Sequence, residues 1–209
     1  MTIRRSPQLR TRIIVANRRA HKSLNYSEEV VKTMNESGDH HGLEHARWRD
    51  LNPAFQFMPS FAVVRNPWSR TASRYLFAKK IIEVEKKEPS AYADVSSFEA
   101  FLEERHIWGG KQYYWHRAIR GWFPQLDHVV DDNGKIMCDV LRLEHLDEEL
   151  CAYFRIPGMS KRRNVTAMGE WKHLYTPKII QTVADWYKDD IDKFGFDFDS
   201  TATKNTWKA

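Results

Sequence analysis

The sequence predicts an α/β fold with a mostly parallel central sheet flanked by helices, and three observations carry that prediction. Short apolar runs bounded by charge, residues 13–16 (Ile-Ile-Val-Ala) and 61–64 (Phe-Ala-Val-Val), are each followed by a helical pattern; this alternation builds parallel sheets covered by helices. Asn66-Pro67 stands directly after the second run, so Asn66 can cap a helix whose first position Pro67 occupies. Thr176-Pro177 opens a later helix in the same way, and Gly195 closes it.

The elements follow in chain order. Residues 13–16 read as a central strand, and residues 24–34 as a helix with Val30, Val31 and Met34 on one side. The second strand stops at Arg65-Asn66-Pro67, and a long helix runs from Pro67 into the mid-80s, where a charge run marks a solvated face. Ser96-Ser97-Phe98-Glu99 is a capping-box signature for a short helix through about Glu104. Residues 126–130 and 135–143 flank Asp131-Asp132-Asn133-Gly134 and predict a hairpin, Asn-Gly supplying the positive φ of a tight turn. A helix follows from about Leu146 to Phe154. The last helix carries the apolar stripe Ile180, Val183, Tyr187, Ile191 and Phe194.

With 209 residues, 42% hydrophobic and 13% aromatic, the chain is long and apolar enough to bury a core, which excludes a disordered or fibrous chain. It reads as one domain over residues 1–209, with a core at about 13–198, a basic arm at 1–12 and a polar tail at 199–209. No apolar run approaches the ~18 residues of a membrane span, and the first residues lack a secretory pattern; the expectation is a soluble, cytoplasmic protein. Cys138 and Cys151 are too few for a disulfide framework or zinc cluster and read as small core residues in a reducing compartment.

The net charge is +5, from 33 Lys and Arg against 28 Asp and Glu. Residues 1–24 hold Arg4, Arg5, Arg10, Arg12, Arg18, Arg19 and Lys22 and no acidic residue, a segment that attracts an anionic partner. The strand–turn–helix unit around Arg65 points the same way, because such a turn aims backbone N–H groups and a helix dipole at an anion. A guanidinium fork at Arg65 and the hydroxyl of Ser73 would grip one phosphate. The plainer reading is an Arg65–carboxylate pair and a packing role for Ser73.

Val64-Arg65-Asn66-Pro67-Trp68-Ser69-Arg70-Thr71-Ala72-Ser73-Arg74-Tyr75 resembles the 3′-phosphate-binding motif of the sulfotransferases that use 3′-phosphoadenosine 5′-phosphosulfate (PAPS), in their carbohydrate-modifying branch (sulfotransferase family 2-like). Arg65, Asn66, Pro67, Trp68, Arg70, Ser73 and Tyr75 match. Asp132-Asn133-Gly134-Lys135, then Val140-Leu141-Arg142-Leu143-Glu144-His145-Leu146, is similar to the family's hairpin and following strand and helix. Tyr175-Thr176-Pro177 through Phe194-Gly195-Phe196-Asp197-Phe198 resembles its C-terminal helix and closing strand. The likeness spans most of residues 13–198. It implies a P-loop-like three-layer fold, PAPS as sulfuryl donor, no metal, and a hydroxyl acceptor that is a saccharide or similar.

The same resemblance assigns roles. Arg65 and Ser73 would bind the 3′-phosphate, with Arg70 structural. The family's 5′-phosphosulfate loop aligns with Asn17-Arg18-Arg19-Ala20-His21-Lys22-Ser23, so Arg18, Arg19, Ala20, His21, Lys22 and Ser23 would line the cofactor. Here Arg18 stands where the family has Lys, and His21 where it has Gly. Arg18 or Lys22 would stabilise the leaving phosphate. His41, or alternatively His40, would be the base that takes the acceptor proton, near neutral pH. Arg163 and Asn164, in the basic run Lys161-Arg162-Arg163-Asn164, would sit on a flap over the nucleotide.

Other readings compete. A binding protein on the same fold would keep the anion pocket without turnover. His41-Gly42-Leu43-Glu44-His45 fits a zinc-peptidase pattern, although Gly42 interrupts the helix it needs. Nucleic acid is a further anionic partner, with no reader motif behind it. His106, Trp108, Tyr113, Tyr114, Trp115, His116, Trp122 and Phe123 form either a sugar-stacking wall or a second small core.

Overall fold

A computed structural model describes residues 47–50, 53–57, 59–80, 82, 94–108, 122–157 and 171–199. The calls on 13–16, 24–34, the 17–23 loop, His40, His41, Arg163 and Asn164 lie outside them. The described part is mixed helix and strand. Its elements in order are α1 (Pro53–Gln56), β1 (Phe61–Val64), α2 (Pro67–Lys79), α3 (Phe98–Trp108), β2 (Asp139–Arg142), α4 (Leu146–Phe154), α5 (Pro177–Trp186) and α6 (Lys188–Phe194). Short 3-10 turns stand at Trp48–Asp50, Leu126–His128, Leu143–His145 and Trp171–Leu174.

β1 and β2 pair in parallel, from Phe61 opposite Asp139 to Val64 opposite Arg142. Two parallel strands need a crossover connection, and α2 and α3 lie within it. Val64, Val140 and Leu141 of the pair are buried, whereas Val63 is exposed. α4 packs on β2, and α2 packs against α3 and α5. Between these helices lies an aromatic core: Tyr75 meets Phe98 and Phe101 at centroid distances of 5.2 and 5.6 Å, and Phe101 meets Trp122 at 5.6 Å. Trp122 is 0% exposed, so that member of the aromatic stretch serves as core, whereas His106 is exposed at the end of α3.

The helix starts follow their capping residues. Asn66 Oδ1 accepts from the backbone N–H of Trp68 and of Ser69, with Pro67 at the first helical position. Thr176 Oγ1 accepts from Ile179 N–H at 3.3 Å. Gly195 ends α6 at φ 68°, a left-handed position that glycine takes without strain. At α3 the cap is Ser97, whose Oγ accepts from Ala100 N–H at 3.0 Å, and the helix runs past Glu104 to Trp108.

Three expectations are corrected. The hairpin shrinks to one antiparallel bridge, Val130 to Ile136, around a turn where Gly134 has φ 76°. Leu126–His128 turns as 3-10 because the backbone N–H groups of Gln125 and Leu126 are taken by the Asp190 carboxylate. The last helix breaks at Tyr187, with φ −122° and ψ 29°, so α5 and α6 are separate; the break brings Asp190 inward, 0% exposed. Residues 196–198 form no strand among the described residues. Phe196 packs into the core, and the Asp197 carbonyl accepts from Asn66 Nδ2.

No helix among the described residues is long and apolar enough to cross a membrane. Cys138 and Cys151 are free thiols, both half-buried, and burial raises the Cys138 pKa to about 11, which keeps it a protonated packing group.

Candidate anion site at the end of the first described strand

Arg65 is the residue at which β1 ends. Its backbone is held on the edge of the strand by one side chain: Arg65 N–H donates to Gln125 Oε1 at 2.8 Å, and Gln125 Nε2 donates to the Arg65 carbonyl at 2.7 Å. An amide side chain thus supplies the donor and acceptor of a ladder rung. The guanidinium folds back over the helix start, and Arg65 Nε donates to Ser69 Oγ at 2.8 Å. Ser69 Oγ in turn donates to the Asn66 carbonyl. Among the described residues the two Nη groups of Arg65 make no hydrogen bond. One of the five N–H donors is thus anchored, and the four on the Nη groups have no acceptor among the described residues.

The charge around the fork is mixed. Burial lowers the Arg65 pKa, the Glu144 carboxylate opposes that, and Arg70 adds to the lowering. Glu144 Oε1 accepts from Asn66 N–H at 2.8 Å, which ties the turn after β1 to the turn after β2. Arg70 points elsewhere: its Nη1 donates to the Phe123 carbonyl at 2.9 Å, and its guanidinium lies 5.7 Å from the Tyr187 ring centroid.

The helix N-terminus does not present N–H groups to an anion, contrary to the expectation from the turn. Pro67 has no N–H, Trp68 and Ser69 give theirs to Asn66 Oδ1, and Arg70 N–H donates to the Asn66 carbonyl. An anion at this turn must therefore be held by side chains. Ser73 is the next such group. It lies four residues beyond Ser69, on the same helical face, is half-buried, and its hydroxyl has no hydrogen-bond partner among the described residues. Of the predicted site residues, Arg65 and Ser73 lie within the described structure, Arg65 just after β1 and Ser73 on α2.

Four contributors were not singled out from the sequence: Ser69, Gln125, Glu144 and Asp190. Ser69 carries a legible signal, since the third residue of an Asn-Pro-capped helix faces back to its cap. The other three act from 60 to 78 residues away, and no local pattern marks them. Asp190 Oδ2 accepts from Gln125 N–H at 2.8 Å and from Gln125 Nε2 at 3.3 Å, and Oδ1 accepts from Leu126 N–H at 2.8 Å. Burial raises its pKa, against the lowering effect of these hydrogen bonds and of Arg70.

Among the described residues no group of three or more His, Cys, Asp or Glu is placed to hold a metal ion. Compared with protein-family models, curated proteins and solved structures, the chain finds no match.

Proposed function

We propose that this chain is a PAPS-dependent sulfotransferase, moving a sulfuryl group to a hydroxyl of a carbohydrate or similar acceptor. One observation supports the reading most: at the end of a parallel strand, Arg65 is anchored through Nε while both Nη groups have no partner among the described residues, and the Ser73 hydroxyl, on the helix that follows, is equally unpartnered there. Those groups fit a dianionic phosphate, two donors from a fork and one from a hydroxyl. The parallel pairing of β1 with β2 suits a P-loop-like three-layer fold, with residues 13–16 as a further strand. The two free thiols suit a reducing compartment, and a cytoplasmic setting belongs to this reading.

PAPS would supply an activated sulfuryl group, with adenosine 3′,5′-bisphosphate as the product. Arg65 and Ser73 would hold the 3′-phosphate. Arg19, Ala20, His21, Lys22 and Ser23 would line the 5′ side, with Arg18 or Lys22 neutralising charge on the departing phosphate oxygen. His41, or His40, would take the proton of the acceptor hydroxyl, and Arg163 and Asn164 would close over the nucleotide. Calorimetric titration with adenosine 3′,5′-bisphosphate, with AMP as control and at two salt concentrations, tests the reading. Binding that depends on the 3′-phosphate supports it; equal binding of the two nucleotides, or none, overturns it.

A further inference from the structure

Arg65 must hold its guanidinium in one place if it is to discriminate a 3′-phosphate, yet β1 has only β2 as a strand neighbour among the described residues. The ladder positions on its other edge require a partner, and at Arg65 that partner is a side chain. Gln125 meets both backbone polar groups of Arg65, at 2.8 and 2.7 Å. A primary amide offers a donor and an acceptor in the planar arrangement of a peptide group, whatever the pH. Gln125 is itself held, because the 0% exposed Asp190 carboxylate accepts from its backbone N–H and from its Nε2. The chain of contacts runs from the break between α5 and α6, through Asp190 and Gln125, to the Arg65 backbone and on to Ser69 Oγ.

We infer that Gln125, oriented by Asp190, is a positioning residue for Arg65 and sets how strongly the site distinguishes a 3′-phosphorylated nucleotide from its 5′-only counterpart. The inference rests on the sulfotransferase reading, from which it takes the ligand. Gln125 touches no nucleotide in this scheme. It fixes the φ and ψ at which Arg65 leaves the strand, and so the direction from which the fork reaches the anion. Two functions follow for one carboxylate: Asp190 turns the chain at Leu126 through Oδ1 and aims Gln125 through Oδ2.

The test compares wild type, Gln125→Ala and Gln125→Glu by the ratio of affinities for adenosine 3′,5′-bisphosphate and AMP. Gln125→Ala should lower that ratio about tenfold, the scale of a charged hydrogen bond, while AMP affinity stays unchanged. Gln125→Glu separates positioning from folding. Ionised, it can only accept, and the Arg65 carbonyl loses its donor; protonated, it offers one O–H donor and one acceptor. The introduced carboxyl would lie against the buried Asp190 carboxylate, a like charge that raises its pKa above the ordinary glutamate range. The Gln125→Glu ratio, taken relative to wild type at the same pH, should therefore be low at pH 8 and recover toward pH 5.5.

A fall in both affinities with an unchanged ratio would show Gln125 to be merely structural and overturn the inference. So would a Gln125→Glu ratio that ignores pH. A wild type without preference for the bisphosphate defeats the sulfotransferase reading and this inference with it; a wild-type preference that survives in Gln125→Ala defeats this inference alone. Should Gln125→Ala fail to fold, exchange of the wild-type Gln125 side-chain amide protons decides. Slow exchange, with a resonance shift on adding the bisphosphate but not AMP, supports the assignment; exchange at the rate of a free amide refutes it.

Discussion

Asn66 Nδ2 donates to the Asp197 carbonyl at 2.7 Å across 131 residues of chain. The same side chain caps α2 through Oδ1, so one amide holds both the helix start and the segment that follows α6. Replacing it removes two different interactions. Asn66→Ala should cost about 2 kcal/mol, one part for the cap and one for the lost hydrogen bond. Asn66→Asp keeps the acceptor that caps the helix but has no donor for Asp197, and should fall between. Urea denaturation of the three proteins checks the order; an alanine variant no less stable than the aspartate one would contradict it.

Arg65→Ala should weaken binding of adenosine 3′,5′-bisphosphate by about 1.5–3 kcal/mol, the range for a hydrogen bond to a charged group, and leave AMP binding alone. Arg65→Lys should recover less than half of that loss, because an ammonium has neither the fork nor the geometry to keep its contact with Ser69. Titration calorimetry on both variants measures this. An affinity unchanged in the alanine variant would remove Arg65 from the site.

His41→Ala should abolish sulfuryl transfer while nucleotide affinity is retained, as expected for a proton acceptor that does not hold the cofactor. If turnover persists there and fails in His40→Ala, the base is His40. Turnover in neither wild type nor variants, with bisphosphate binding intact, would favour a binding protein on this fold.

Glu104 gives a pH signature that is independent of function. It sits on α3 at 6% exposure; burial raises its pKa to about 7, with Arg74 opposing. An unfolded glutamate titrates at about 4.3. Between those values the folded state holds a proton that the unfolded state releases, so stability falls as pH rises through that window, by at most about 1.4 kcal/mol per pH unit from this group. Glu104→Gln should flatten that stretch of the stability curve and be the more stable protein above pH 7. Thermal melts from pH 4 to 8 provide the measurement, and parallel curves for the two proteins would refute it.

What was legible in the sequence was local. Asn66-Pro67 and Thr176-Pro177 announced their helices because a cap and its N–H groups lie within three residues of each other. The run Phe61–Val64 announced a strand because its composition suits no other buried element so well. Two of the errors, the hairpin and the closing strand, share a physical origin, side chains from remote segments claiming backbone groups. Asp190 takes the N–H of Leu126, which a strand at 126–130 would have needed, and that of Gln125 just before it, and Asn66 takes the Asp197 carbonyl. The continuous stripe from Ile180 to Phe194 concealed the break at Tyr187, since both helices present apolar residues to the same core. The site was half legible for the same reason. Arg65 and Ser73 sit within one strand–turn–helix unit, whereas Gln125, Glu144 and Asp190 reach it through the tertiary fold.

The parallel pairing of β1 with β2 also bears on how the chain folds. No tight turn can join two such strands, and the Asn66 N–H bond to Glu144 closes over 78 residues. Among the described residues neither strand has another strand to pair with locally, so the entropy of a large closure must be lost before these two strands form a rung of the ladder. Helices such as α2 and α5, with caps near at hand, should acquire structure first, and the sheet should be the slow step. In a kinetic refolding experiment, helical ellipticity would then lead the burial of Trp122, and the turn carrying Arg65 would be among the last parts of the molecule to become native.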